Sequence, residues 1–118
     1  MLRPSRHLLR LLPFALLLAL SSCAESLLSR AREAERTGAH YEAERLYKEL
    51  YKSTPTRERK RRALYSLCAA EAAYRGRRYA TARALLQRAQ RLHLPDSLLR
   101  KSKLYTTLST EALRAEDS

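Results

Sequence analysis

The most informative part of the sequence is Gly76-Arg77-Arg78-Tyr79-Ala80-Thr81-Ala82, which is followed by Leu85, Leu86 and Ala89. A similar stretch occurs earlier in the chain, Gly38-Ala39-His40-Tyr41-Glu42-Ala43, and it is followed by Leu46, Tyr47 and Leu50. The interval from Gly38 to Gly76 is one residue shorter than the interval from Ala43 to Ala82. A motif repeated at such a distance is typical of a helical repeat array. We therefore expect paired helices, with each Gly in a turn because Gly tolerates positive φ.

The spacing of apolar residues predicts five helices and no strand, and hence an all-α fold. We expect them from Glu25 to Thr37, from Tyr41 to Tyr51, from Arg57 to Tyr74, from Tyr79 to just before Pro95, and from Asp96 or Ser97 onwards. In the third helix, the residues expected to point inward are Ala63, Leu64, Leu67, Cys68, Ala70, Ala73 and Tyr74.

Polar residues refine this prediction. Thr56 and either Asp96 or Ser97 are candidate caps for the third and fifth helices. Glu44 falls on the expected exposed side of the second helix, where Lys48 would pair with it. The fifth helix has no predicted partner after it, so we expect it to cap the two repeats.

The amino-terminal segment has the layout of a secretion signal. Three arginines at its front precede an apolar run from Leu11 to Leu20, and small residues follow in Leu20-Ser21-Ser22-Cys23. A helix over residues 8–20 would be about 20 Å long, whereas a hydrocarbon core is roughly 30 Å thick. The predicted organisation is therefore a signal peptide over residues 1–22 and one helical domain over residues 23–118.

The end of this signal resembles a bacterial lipobox. That resemblance implies that the thiol of Cys23 receives a diacylglycerol group and that the new amino terminus is acylated, for example with palmitate. Several acyl chains would hold the protein at a membrane surface. The alternative is an ordinary signal peptide cleaved near Ser22, which would release a soluble secreted helical domain.

Catalytic and metal-binding patterns are not found in the sequence, so we expect no enzyme, no cofactor and no metal. His7, His40 and His93 do not share a helical face, and two glycines cannot build a phosphate-binding loop. Cys68 lies among apolar residues with no His near it, so a small core residue is the expected role.

The charge balance is strongly basic. Removing the three arginines of the signal from the 24 Lys and Arg leaves 21 basic against 12 acidic residues, an excess of nine positive charges. A nucleic-acid partner is not expected behind an export signal, and two interpretations of the basic residues stay open. They are either a solvated helix start or a surface for an anionic lipid, polymer or protein. The densest basic patch comprises Arg57, Arg59, Lys60, Arg61 and Arg62.

The repeated motif resembles the tetratricopeptide repeat. The residues that carry the resemblance are Gly76, Tyr79, Ala82, Leu86, Ala89 and Pro95 in the second copy, and Gly38, Tyr41, Ala43, Tyr47, Leu50 and Pro55 in the first. The interval between the copies is longer than the roughly 34 residues usual for that repeat. The resemblance implies two helical hairpins plus a carboxy-terminal capping helix, with a concave groove for a protein partner. The residues it places at that groove are Leu67, Glu71, Tyr74, Lys101 and Tyr105.

A second resemblance covers residues 47–55, 59–62 and 94–97, which are similar to the amino-terminal repeats of OmpA-family lipoproteins of type IX secretion and gliding machineries. It implies an outer-membrane anchor, a domain facing the periplasm and a role as scaffold in a secretion assembly. Peptidoglycan binding is not implied, because the residues that perform it in that family have no counterpart here. We expect an envelope adaptor for protein partners, or alternatively a basic surface protein that binds anionic cell-wall polymer or lipid headgroups.

Overall fold

The computed structural model describes residues 26–117, which form five helices and no strand. Helix α1 covers residues 26–36. It is followed by α2 (His40–Ser53), α3 (Arg59–Arg75), α4 (Tyr79–Arg91) and α5 (Asp96–Glu116). The predicted all-α fold is confirmed. The predicted signal peptide over residues 1–22 and Cys23 lie outside the described residues.

Successive helices pack side by side as hairpins. Helix α2 packs on α3, α3 on α4 and α4 on α5, and α3 also contacts α5. Helix α1 joins through Leu27, Leu28, Ala31 and Ala34, which belong to the same hydrophobic core. Alternate helices therefore lie on the same side of the molecule. The helices α1, α3 and α5 form one side, and α2 and α4 pack behind them.

The core is built mainly from alanine, with one fully buried leucine in each of three helices: Leu46 in α2, Leu67 in α3 and Leu86 in α4. Small side chains let helix axes approach closely, and the leucines fill the space between them. The buried alanines are Ala31, Ala34, Ala43, Ala63, Ala69, Ala70, Ala72, Ala73, Ala82 and Ala89.

Equivalent positions in successive repeats are separated by the same number of residues as Ala43 and Ala82. We call this number of residues the repeat interval. In the first turn, Ala39 N donates to Ala34 O at 2.9 Å, and one repeat interval later Arg78 N donates to Ala73 O at 2.8 Å. The fully buried residues Ala31, Ala70 and Ser109 are separated by the same interval. Helix α5 therefore has the register of α1 and α3. It packs on α4, as expected of a cap, and it is also equivalent to the first helix of a third repeat.

The two turns show that the glycines are not equivalent. Positive φ occurs at Gly38 (79°) and at Arg77 (63°), which are separated by one repeat interval. Gly76 has a φ of −83°, so the prediction that it supplies a positive φ is wrong. A Cβ at Gly76 would instead lie 3.3 Å from His40 Cβ in the first turn. The absence of a Cβ at Gly76 eases the close approach of the two turns, and the two glycines do not occupy equivalent positions of the repeat.

The structure also contradicts the predicted side-chain caps of α3 and α5 and the predicted inward position of Leu64. The residue before α3 is Glu58 and the residue before α5 is Pro95, and neither helix start has a side-chain cap hydrogen bond. Thr56 lies in a turn that Glu58 N closes by donating to Pro55 O at 3.0 Å, so α3 begins at Arg59 rather than Arg57. Leu64 is 39% exposed, because it lies on the side of α3 that α2 and α4 leave uncovered.

Candidate binding groove

A groove in two adjoining parts lies on the side of the molecule formed by α1, α3 and α5. Its first part lies between α1 and α3, and its second part reaches α5. Arg32 and Cys68 line both parts, so the two parts adjoin each other. We call this feature the helix groove. Its first part is lined by Leu28, Arg32, Tyr47, Arg61, Leu64, Tyr65 and Cys68, and its second part by Arg32, Glu35, Arg36, Cys68, Glu71, Arg75 and Lys101.

The first part of the helix groove is its apolar end. Leu28 and Tyr65 pack against the core while remaining partly exposed, and Leu64 projects further into solvent. Behind them the hydroxyl of Tyr47 donates to Glu35 Oε2 at 2.9 Å. Burial raises the pKa of Tyr47, and the hydrogen bond to Glu35 raises it further. The phenol therefore stays protonated and holds α1 to α2.

The second part is the charged end. Lys101 Nζ of α5 lies 2.7 Å from Glu71 Oε1 of α3, and this hydrogen bond raises the pKa of Lys101. Arg36 is paired with Glu33 on its own helix. Within residues 26–117, Arg32 and Arg75 have neither a hydrogen bond nor an ion pair through their side chains. Two guanidinium groups of the charged end are thus available to an incoming acceptor.

The residues predicted to line a partner groove lie in different environments in the structure. Glu71 and Lys101 lie together in the helix groove and pair with each other. Tyr74 packs edge-on against Tyr105, with ring centroids 5.3 Å apart, and also contacts Tyr79, so these rings mainly join helices. Leu67 is only 1% exposed, and its assignment to a partner surface is wrong because it points into the core between α2 and α4.

Sequence reasoning missed the arginines of the charged end and Leu64 at the apolar end. One signal was available for two of these residues. Arg36 and Arg75 are separated by the repeat interval that relates the helices. Arg32 carries no such signal, because its equivalent by this interval is Glu71.

The basic patch gathers around the start of α3. Arg57, Arg59, Lys60 and Arg61 line a cleft with His93. Arg59 Nη2 donates to Arg91 O at 3.1 Å, and Arg61 lies 3.4 Å from Glu58. The first turn of α3 contains no acidic residue, and the carboxylate beside these cations at the positive end of the helix dipole is that of Glu58, the residue before the helix.

Arg62 does not belong to the exposed part of this patch. Its guanidinium lies 4.3 Å from the centroid of the Tyr51 ring, and that of Arg88 lies 3.6 Å from the same ring. Arg88 Nε also donates to Ser66 Oγ at 3.1 Å. Burial lowers the pKa of Arg88. These two arginines pack α2, α3 and α4 together through cation–π contacts.

A buried ionic cluster centres on Glu44, which was expected to be exposed. Glu44 is 2% exposed, and that prediction is wrong because Arg78 covers it. Arg78 Nη1 lies 2.8 Å from Glu44 Oε2, and Lys48 Nζ lies 2.7 Å from the same oxygen. Arg78 comes from the turn between α3 and α4, so the cluster ties one hairpin to the next. Its role is structural.

The remaining candidate for chemistry is Cys68. It is partly buried at the middle of the helix groove, and burial raises its pKa to about 12. At neutral pH the thiol is therefore protonated and a poor nucleophile. Residues 26–117 contain no cluster of three His, Cys, Asp or Glu side chains suited to a metal. Within the same range, no helix is both long enough and apolar enough to cross a bilayer.

Comparison of the chain with protein-family models, with curated proteins and with solved structures gives no match.

Proposed function

We propose that this protein is a lipid-anchored adaptor of the bacterial cell envelope that binds a segment of another protein in the helix groove. The observation that carries the proposal is that two adjoining clefts, which share Arg32 and Cys68, are lined by residues of α1, α3 and α5. The first helix of each of three successive repeats contributes residues to the groove. The groove has an apolar end and a charged end. Such surfaces suit an extended or helical segment of a partner.

The resemblance to tetratricopeptide lipoproteins supports the rest of the proposal. The lipobox resemblance supports an anchor at Cys23, and the resemblance to OmpA-family lipoproteins supports a domain at the outer membrane, facing the periplasm, within an envelope secretion assembly. A binding role rather than catalysis fits the protonated thiol of Cys68 and the pairing of Glu71 with Lys101.

The anchor is tested by the intact mass of protein isolated from membranes, for the natural chain and for Cys23→Ala. A chain that starts at Cys23 and carries acyl mass, absent from the variant, is the expected result. An unmodified natural chain in the soluble fraction would refute the anchor and leave the groove to be tested separately.

The groove is tested by placing a photo-crosslinking residue at Leu64 in cells. The matched control is the same residue at Leu104, which is 57% exposed on α5 and outside the groove. We expect a defined envelope protein to crosslink at position 64 but not at position 104. Adding Arg75→Glu to the position-64 chain should reduce the crosslink. Equal yields at the two positions would contradict binding in the groove.

A second candidate function is binding of anionic lipid or cell-wall polymer by the basic patch. It is favoured by Arg57 and Lys60, which lack side-chain ion pairs within residues 26–117 and lie beside a helix whose first turn contains no acidic residue. Sedimentation of Cys23→Ala protein with anionic vesicles tests it. Binding that falls steeply with added salt, and that is lost on Arg57→Gln with Lys60→Gln, would favour this function.

A further inference from the structure

We infer that the segment bound in the helix groove is two-sided, with apolar residues at one end and carboxylates at the other. This inference rests on the proposed function and adds to it the chemistry and the direction of the ligand. The apolar residues would contact Leu64 near the start of α3. The carboxylates would contact Arg32 and Arg75 on either side of the groove.

The direction of the bound segment follows from the residues on one face of α3. Leu64, Cys68, Glu71 and Arg75 recur at intervals of four, three and four residues, so they lie in a row along the helix. All four line the groove. The row begins with an exposed leucine, passes a partly buried thiol and ends in an arginine at the last residue of α3. A ligand lying along it meets an apolar surface first and a cationic surface last.

The charge of the far end favours an acidic ligand. Arg32, Arg36, Arg75 and Lys101 line it together with two carboxylates, Glu35 and Glu71. Glu71 is already paired with Lys101, and Glu35 already accepts the Tyr47 hydroxyl. Arg32 and Arg75 are left with unused donors. Arginine presents its donors in a planar fork that matches a carboxylate, so a partner's Asp or Glu fits this pair of side chains.

The repeat register relates the arginines in the last turns of α1, α3 and α5. Arg36, Arg75 and Arg114 are separated by the repeat interval, each in the last turn of its helix, α1, α3 and α5. A cation there complements any helix dipole, so the position alone indicates no ligand. The added observation is that Arg36 and Arg75 line the same part of the groove. The acidic end of a ligand that lies along α3 would therefore have arginines of successive repeats beside it.

The apolar end narrows the choice of ligand. Leu64 is one of three large hydrophobic residues that are exposed within residues 26–117, with Tyr41 and Leu104, and the groove linings include it but not the other two. A purely anionic polymer would leave it uncovered. A second copy of this strongly basic chain would bring excess positive charge to the arginines. An amphipathic acidic segment of a different protein satisfies both ends.

The test uses fluorescence anisotropy with a labelled peptide that carries leucines at one end and glutamates at the other. The protein is the full chain as processed in cells, purified in detergent. One control peptide replaces the glutamates with glutamines, and another replaces the leucines with serines. We expect both controls to bind more weakly than the two-sided peptide, by about tenfold for the glutamine peptide, since hydrogen bonds to charged groups contribute about 1.5–3 kcal/mol.

Matched variants locate the two ends. Arg75→Gln should weaken the two-sided peptide about tenfold, whereas Arg57→Gln removes the same charge outside the groove and should change binding less than about twofold. Leu64→Ser should weaken binding, and Leu104→Ser should not. Circular dichroism of each variant checks that it has kept its helical fold.

Three results would overturn the inference: no binding of the two-sided peptide, equal binding of the glutamine peptide, or equal effects of Arg75→Gln and Arg57→Gln. In each case the crosslink at position 64 shows whether only the inferred ligand chemistry is wrong or the proposed function is wrong as well. If it persists, the groove binds a partner of different chemistry. If it is absent as well, the proposed function itself fails.

Discussion

Glu44 illustrates how one residue can be decisive for the packing of two hairpins. Its carboxylate is out of contact with water and depends on Arg78 and Lys48 for compensation. A buried charge is costly unless it is paired and hydrogen-bonded. Arg78 also lies over the ring of Tyr41, 5.2 Å from its centroid, so the arginine is held from two sides. The cluster fixes the turn between α3 and α4 against α2.

The first prediction concerns this carboxylate. Glu44→Gln should lower the free energy of unfolding by about 2 kcal/mol, measured by urea denaturation. The expected loss is smaller than the roughly 3–5 kcal/mol for a fully buried pair, because Arg78 and Lys48 keep contact with solvent.

Glu49→Gln is the matched control, since Glu49 lies on the same helix and pairs with Arg45 at 2.7 Å in an exposed position. Its loss should stay within about 0.5 kcal/mol. Equal losses for the two variants would mean that burial of Glu44 contributes nothing to stability.

At the scale of helices and turns, the sequence predicted the number, order and approximate bounds of the helices because apolar residues recur with the helical period. It did not reveal which of two candidate residues carries a special backbone conformation. Gly76 fits a turn by type, yet positive φ falls on Arg77, since the repeat interval is set by helix packing rather than by glycine. Leu64 and Leu67 are both apolar, and only the positions of α2 and α4 determine which of them is exposed.

The same reasoning applies to the groove. The resemblance to the tetratricopeptide repeat assigned Glu71 and Lys101 to a groove, whereas it did not assign Arg32. Its importance arises from the side-by-side position of α1 and α3 and from the absence of an ion pair through its side chain within the described residues. Contacts between residues distant in sequence, such as Arg78 with Glu44, leave no periodic signal.

The second prediction tests the turn register. Arg77→Gly should raise the free energy of unfolding by about 0.5–1 kcal/mol, because glycine relieves the left-handed backbone at that position. Gly38→Ala should lower it by about 1 kcal/mol for the same reason. Thermal and urea unfolding of both variants provide the measurement.

Gly76→Ala is the informative comparison for these variants. Its backbone suits alanine, but the new Cβ would press on His40 Cβ at 3.3 Å, so we expect a smaller loss than for Gly38→Ala. A larger loss at Gly76 than at Gly38 would contradict this expectation and show that the close approach to His40 matters more to stability than the positive φ of Gly38.

At the scale of the whole molecule, a small alanine-rich core is supplemented by polar side chains that join the helices. Tyr47 links α2 to α1, Lys101 links α5 to α3, and Cys68 lies partly buried between α1 and α3. Folding raises the pKa of each of these three groups. A group whose pKa is raised on folding stabilises the protein below its unfolded pKa and loses that contribution as pH rises. All three therefore act in the same direction.

The third prediction is a loss of stability at alkaline pH. The melting temperature should be nearly constant from about pH 7 to 8.5 and then fall between about pH 9 and 12. This window begins at the ordinary thiol pKa of 9.0 and ends near the value of about 12 that burial imposes on Cys68. Calorimetry with a reducing agent present measures the decline.

In Cys68→Ala the early part of the decline should be smaller, and in Tyr47→Phe the part above pH 10 should be smaller. An unchanged decline in both variants would show that neither group loses a proton more readily on unfolding, and would assign the alkaline loss to Lys101 and its partner Glu71.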